Sequence, residues 1–116
     1  MAEDDYFVIT GKILGYLYLR LKGKTKKGIE YLQPMSKDFP IMPDYFEYVI
    51  ANLQNAGYID GVTIIRAWGG DIIMMDIPED VHITPKGIEY LKDNGTLHKI
   101  LEKLPEYAGL ASLFTI

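Results

Sequence analysis

The sequence predicts an α+β chain of the winged-helix kind, with a shortened second helix, a β-hairpin wing and C-terminal helices. Three observations carry this. Apolar residues recur at helical spacing in two long stretches, one near the start and one opened by Pro43. Two β-rich runs flank Gly69-Gly70, the pattern of a hairpin. Finally, K-G-I-E-Y-L occurs twice, at Lys27 to Leu32 and Lys86 to Leu91, each time two residues after a threonine, with surroundings that dictate different conformations.

In chain order, Asp5 caps a first helix carrying Phe7, Val8, Ile13, Leu14, Leu17, Tyr18 and Leu21 at helical spacing, ending near Lys22-Gly23. A basic stretch, L-K-G-K-T-K-K-G, leads into the first copy of the hexapeptide. Gln33-Pro34 follows Leu32, and the residue before a proline is pushed out of the α region, so Ile29 to Leu32 reads as a short extended segment. At most one helical turn follows around Pro34 to Asp38. Pro43 then opens a helix that buries Phe46, Val49, Ile50 and Leu53 and stops before Gly57. A two-residue turn at Gly69-Gly70 pairs Trp68 with Asp71, Arg66 with Ile73 and Ile64 with Met75.

The second copy of the hexapeptide reads as a helix. Thr84 is a good N-cap, Pro85 suits the first helical position, and Asn94-Gly95 supplies a left-handed stop. Thr96 caps a last amphipathic helix through Leu97, Ile100, Leu101 and Leu104, interrupted by Pro105. Outside Thr and the hexapeptide the flanks differ, unlike solenoid repeats, which share a whole supersecondary unit. A partial duplication is the competing reading.

A length of 116 residues with 48% apolar content suits one core. The winged-helix domain spans residues 1–95, and residues 96–116 add an amphipathic helix and an apolar tail, packed on the same domain or in a dimer interface. Without cysteine there is no disulfide, zinc-thiolate site or cysteine nucleophile. The start, M-A-E-D-D-Y-F, is acidic where a signal peptide is basic, and no apolar run reaches the ~20 residues of a membrane span. A cytoplasmic protein without membrane partners is expected. A net charge of −4 gives no general attraction to nucleic acid, so such binding needs a local basic patch.

Three passages carry a family resemblance: D-D-Y-F-V-I at the start, A-G-Y-I-D-G-V entering the hairpin, and I-T-P-K-G-I-E-Y-L-K-D-N after it. The chain resembles the YjcQ family, small proteins of Gram-positive bacteria and their phages, over most of residues 4–95. The resemblance implies a winged-helix-like fold without an assigned activity, and it supplies no site residues to carry over. The apolar C-terminal tail lies outside it.

Winged helices commonly place the helix before the hairpin in the major groove of DNA. On the Pro43 helix the outer candidates are Asp44, Glu47, Tyr48, Ala51, Asn52 and Asn55, of which Tyr48, Asn52 and Asn55 could meet base edges. No Lys or Arg lies between Lys37 and Arg66, whereas Asp38, Asp44, Glu47 and Asp60 do, the wrong sign for phosphates. The basic loop is the electrostatic feature that favours nucleic acid: Arg20, Lys22, Lys24, Lys26 and Lys27 crowd eight residues, although charge at a helix C-terminus and solubility explain them too. No aromatics are interleaved there to stack bases.

The hairpin is apolar on both sides. Val62, Ile64, Met75 and Ile77 share one face and Ile65, Ala67, Ile72 and Met74 the other, so one face covers the core and the other needs a neighbour. With Leu110, Leu113 and Phe114 of the tail, that second face forms the candidate partner surface. Arg66, Trp68 and Asp71 could cluster at the tip. For catalysis little is present. His82, Asp80 and Glu79 could approach a metal, but no second histidine completes the set, and His98 reads as a surface residue. Ser36 and Ser112 have no base at motif spacing, and there is no glycine-rich phosphate loop. The expectation is a non-catalytic protein without cofactor or metal. Two readings follow: a dimeric regulator that binds double-stranded DNA, or a protein-interaction module that uses the second hairpin face and the tail.

Overall fold

A computed structural model of the chain describes residues 6–110. It shows an α+β fold of four helices and a small antiparallel ribbon. Helix α1 (Tyr6–Leu21) lies at the centre, and every residue from Val8 to Leu19 is buried, including Thr10 and Lys12. A helix apolar nearly all round is the kind that becomes an interior element. Around it pack α2 (Pro43–Asn55), α3 (Pro85–Asp93), α4 (Gly95–Glu102) and a C-terminal 3-10 turn, Pro105–Tyr107. The Lys12 ammonium, carried into this interior, donates to the Asp38 carbonyl at 2.7 Å and lies 5.8 Å from the Phe39 ring centre. The expected cap, Asp5, lies outside the described residues.

The two hexapeptides do adopt different conformations. The second forms α3: the Thr84 Oγ1 accepts from the Gly87 N–H at 3.1 Å, and Pro85 occupies the first turn. Thr84→Ala is expected to cost about 1–2 kcal/mol, the usual value of a lost N-cap. Urea denaturation followed by helical circular dichroism measures this, and Thr84→Ser should retain most of the stability.

The first copy is not extended as expected but closes a 3-10 turn, Ile29–Tyr31. The cause is a side chain distant in sequence. The Tyr16 hydroxyl sits 2.8 Å from the Lys27 carbonyl and 2.6 Å from that of Gly28, gathering the chain into a turn, while the Tyr31 ring lies against Tyr16 with centres 4.7 Å apart. Residues 34–38 form bends rather than a helical turn. The exit from α3 also differs. Asn94 has φ −100°, outside the left-handed region, and its side chain accepts from the Leu97 N–H at 3.3 Å, so Asn94 rather than Thr96 caps α4.

The ribbon has two parts. Strand β1 (Ile59–Asp60) pairs with β4 (His82–Ile83) at the root, and β2 (Thr63–Arg66) pairs with β3 (Ile72–Asp76) further out. Gln54 at the end of α2 joins the parts: its amide donates to the Val62 carbonyl and accepts from the Val62 N–H, both at 2.8 Å. Ile64 faces Met75 as expected, but Arg66 pairs with Ile72 rather than Ile73 because a bulge interrupts the register after Ile65. The tip is correspondingly wider than a two-residue turn. The Ala67 N–H bonds the Asp71 carbonyl and the Gly70 N–H bonds that of Ala67, so Trp68 does not pair with Asp71.

Val62 is buried, and Ile64, Met75 and Ile77 pack half-buried on the core, as the alternation required. Leu97, Leu101, Tyr107 and Leu110 join the same cluster as Ile9, Ile13 and Phe46, so the last helix shares the single core. Leu110, expected on a partner surface, is 3% exposed and packs inside its own chain. Leu113 and Phe114 lie outside the described residues.

Candidate functional site

Two surfaces compete, and each follows from local structure. On α2 the stripe Phe46, Val49, Ile50 and Leu53 is buried as expected, and Ala51, expected outside, is buried with it. Tyr48 is 57% exposed, yet its ring is engaged by neighbours, edge-on to Tyr6 with centres 6.2 Å apart and stacked on Tyr45 at 6.4 Å. Asn52 is half-buried and Asn55 exposed, alongside exposed Asp44 and half-buried Glu47. This face carries carboxylates and no cation.

The basic loop begins where α1 stops. Gly23 adopts φ +69°, its N–H bonds the Arg20 carbonyl and the Lys24 N–H bonds that of Leu19, a paired closure that throws the lysines outward. Lys22, Lys24, Lys26 and Lys27 are all exposed, and the Lys27 ammonium lies 5.3 Å from the Tyr31 ring centre. Arg20 is tied elsewhere: its Nη1 donates to the Glu79 carbonyl at 2.6 Å, placing the loop beside the root of the hairpin. Tyr48, in contrast, contacts Tyr6 at the opposite end of α1, about 21 Å from Arg20 at 1.5 Å of rise per residue. The structure therefore does not gather Tyr48 and the basic loop into one patch.

The outer hairpin face is the second surface. Ile65 is 43% and Met74 50% exposed. Ala67 and Ile72 are half-buried, and the bulge turns out Ile73 instead, at 65%. Trp68 stands at the tip at 102%, the exposure of a side chain touching nothing. At the tip the Arg66 Nη1 donates to the Gly70 carbonyl at 2.8 Å, a local surface contact. Pairing arithmetic could not reveal Ile73, because nothing in D-I-I-M-M-D marks which residue bulges.

Polar chemistry gathers at a third place, underneath the first hexapeptide. The Tyr107 hydroxyl donates to the Lys12 carbonyl at 2.9 Å and meets the Tyr31 hydroxyl at 2.9 Å. Burial pushes the Tyr16, Tyr31 and Tyr107 phenols above their ordinary range. Nearby, a backbone hydrogen bond, the Asp38 side chain, and then Lys37 and Lys12 hold the Glu106 carboxyl below its usual value. The three phenols bond one another or backbone carbonyls and hold their protons, an arrangement that braces the fold.

An open groove of about 650 Å³ is lined by Tyr58, Lys86, Glu89, Tyr90, Asp93 and Asn94. Its cation is engaged, since the Lys86 Nζ donates to the Ala56 carbonyl at 2.9 Å and lies 5.5 Å from the Tyr58 ring centre. Ser36 is structural, donating to the Gln33 carbonyl and accepting from the Phe39 N–H. His82 contacts the Asp80 carbonyl at 3.0 Å. His98, expected on the surface, is half-buried with its Nε2 2.7 Å from the Leu91 carbonyl. Among the described residues no three His, Cys, Asp or Glu converge as metal ligands, and no helix is long and apolar enough to cross a membrane.

The family described as YjcQ protein matches residues 11–107, most of the chain. The chain belongs to the YjcQ family. Its match reaches beyond the resemblance legible in the sequence, taking in α4 and ending on Tyr107, the residue that closes the tyrosine network. No curated protein and no solved structure matches the chain.

Proposed function

We propose that this YjcQ protein is a non-catalytic winged-helix module that works by docking another protein on the outer face of its hairpin. In this reading α1 and α2 hold the positions of the first and third helices of a winged helix, bends replace the second, the ribbon is the wing, and α3 follows it. One observation supports docking above all: Ile65, Ile73, Met74 and Trp68 are each exposed to solvent on one short hairpin. Contiguous exposed apolar surface on a soluble domain marks an interaction site. A solvated wing that touches phosphates would carry lysines or arginines there, and this one carries Asp71 and Asp76 beside a single Arg66.

DNA binding is the competing reading, favoured by the exposed lysines of the basic loop. Anisotropy titration of a labelled duplex from low to physiological salt separates the two. The expected result is no more than weak binding that vanishes as salt rises. Tight binding whose salt dependence flattens in Lys24→Ala, Lys26→Ala, Lys27→Ala would establish the regulator instead. A photo-crosslinker at Ile73, used in living cells, is expected to give protein adducts and no nucleic-acid adduct. Absence of any protein adduct defeats the docking reading.

A further inference from the structure

Separately from the outer hairpin face, we infer that the notch between α2 and the inner face of the hairpin is a binding site for a lysine or arginine side chain presented by a partner protein. The notch measures about 230 Å³. Buried Leu32 and Phe46 form its floor, and half-buried Pro34, Met75, Ile77 and Glu47 form its walls. That space suits one long side chain: an apolar cavity of about 150 Å³ takes a benzene ring, whereas pockets for drug-sized molecules run to ~300–1,000 Å³. The lining is apolar except at one residue, Glu47.

Glu47 and Gln54 lie two turns apart on one side of α2, separated by about 10 Å at 1.5 Å of rise per residue. Gln54 shows which way that side looks, because its amide donates to the Val62 carbonyl and accepts from the Val62 N–H, between β1 and β2. Both polar groups face the hairpin, and only Gln54 finds its partner there. Among the described residues no hydrogen bond or ion pair reaches the Glu47 carboxylate. A carboxylate half-withdrawn from water without a partner is disfavoured, and a cation beside it offsets the penalty. The side chains that carry a cation on an aliphatic stem are lysine and arginine, whose methylenes pack on apolar surface while the charged head meets a polar group. The larger groove differs in this respect: Glu89 and Asp93 share its lining with Lys86, whereas no cation lines the notch. No lysine or arginine occurs on α2, and the chain's net charge of −4 favours a basic partner. One side chain held by one charge is bound weakly, so the residue belongs to a protein chain, whose other contacts raise its local concentration.

Met75 reports occupancy. Methionine methyl groups labelled with carbon-13 are followed by NMR on the full chain, the Met75 signal being assigned through Met75→Leu. The probes are blocked tripeptides with a central lysine, arginine, norleucine or glutamate. The lysine and arginine peptides should shift the Met75 signal saturably at millimolar concentration. Norleucine, which has the stem of lysine without its charge, should bind about fivefold more weakly, the contribution of one favourable surface ion pair. Glutamate should give no shift. The signals of Met35, Met42 and Met74, which do not line the notch, should stay in place. Glu47→Gln keeps the shape and removes the charge, so it should bring the lysine and arginine peptides down to the level of norleucine while leaving norleucine binding and the helical circular dichroism unchanged. Equal binding of lysine and norleucine, undiminished binding of lysine by Glu47→Gln, or no Met75 shift with any peptide overturns the site. The Ile73 crosslink tests the outer face by itself, and neither result decides the other.

Discussion

Gly87→Ala is expected to destabilise the chain by about 3 kcal/mol or to prevent folding, while Gly28→Ala, the same change at the same place in the same hexapeptide, shifts stability by less than about 1 kcal/mol. The difference lies in what each new methyl group meets. At Gly87 it would run into the Tyr58 carbonyl oxygen and approach the Ile83 Cγ1 to 2.8 Å. That carbonyl cannot retreat cheaply, because it accepts from the Thr84 N–H at 3.0 Å at the junction of β1 and α3. Overpacking against backbone outweighs the ~1 kcal/mol of helix propensity that alanine gains over glycine. At Gly28 the methyl group meets only the carboxylate end of Glu30, an exposed and flexible side chain, and φ −78° with ψ 177° is a conformation open to any residue. Urea denaturation of both variants decides the matter. Equal losses would mean that the two hexapeptides are structurally equivalent units.

This contrast also shows where the sequence was legible. A threonine cap, a proline at the first helical position and a run of spaced apolar residues are local instructions, and α3 and α2 obey them. Ile29 to Tyr31 took its shape from Tyr16, which lies on another element, so no rule about neighbours could give the 3-10 turn. The hairpin faces were readable up to Ile65 by alternation and unreadable past the bulge, where one extra residue exchanges Ile72 for Ile73. For the candidate site, counting charges along α2 gave carboxylates and no lysine or arginine on that helix. Counting could not foretell that Arg20 is anchored to Glu79, because that bond joins residues 59 apart. Leu110 illustrates the same limit: an apolar tail residue has the same spelling whether it awaits a partner or, as here, fills its own core.

Alkaline titration should unfold the protein in one cooperative step well above pH 10, with the buried tyrosines ionising only as the helices melt. The Tyr107 hydroxyl is buried, donating to the Lys12 carbonyl and meeting Tyr31, and burial raises the pKa of Tyr107, of Tyr31 and of Tyr16. In the unfolded chain each phenol releases its proton near pH 10. The folded chain then holds more protons than the unfolded one, so stability is intact below pH 10 and falls as pH rises beyond it. Each retained proton removes about 1.4 kcal/mol per pH unit. Tyr107 removes about 1.4 kcal/mol per unit, and Tyr31 and Tyr16 add to it, against a total stability of about 5–15 kcal/mol for a domain. A loss of stability that sets in above pH 10 and continues with rising pH is the consequence.

Tyrosinate absorbance and circular dichroism recorded together provide the check. The absorbance step of the buried phenols should coincide with the loss of helix. Tyr107→Phe sharpens the test. It removes one of the retained protons and so should lower the alkaline slope by about 1.4 kcal/mol per pH unit. At neutral pH it should cost about 1–3 kcal/mol, because the Lys12 carbonyl and the Tyr31 hydroxyl lose a partner. A single smooth absorbance change near pH 10 with the helices intact would show that the phenols are open to solvent and that the network closed by Tyr107 does not brace the core.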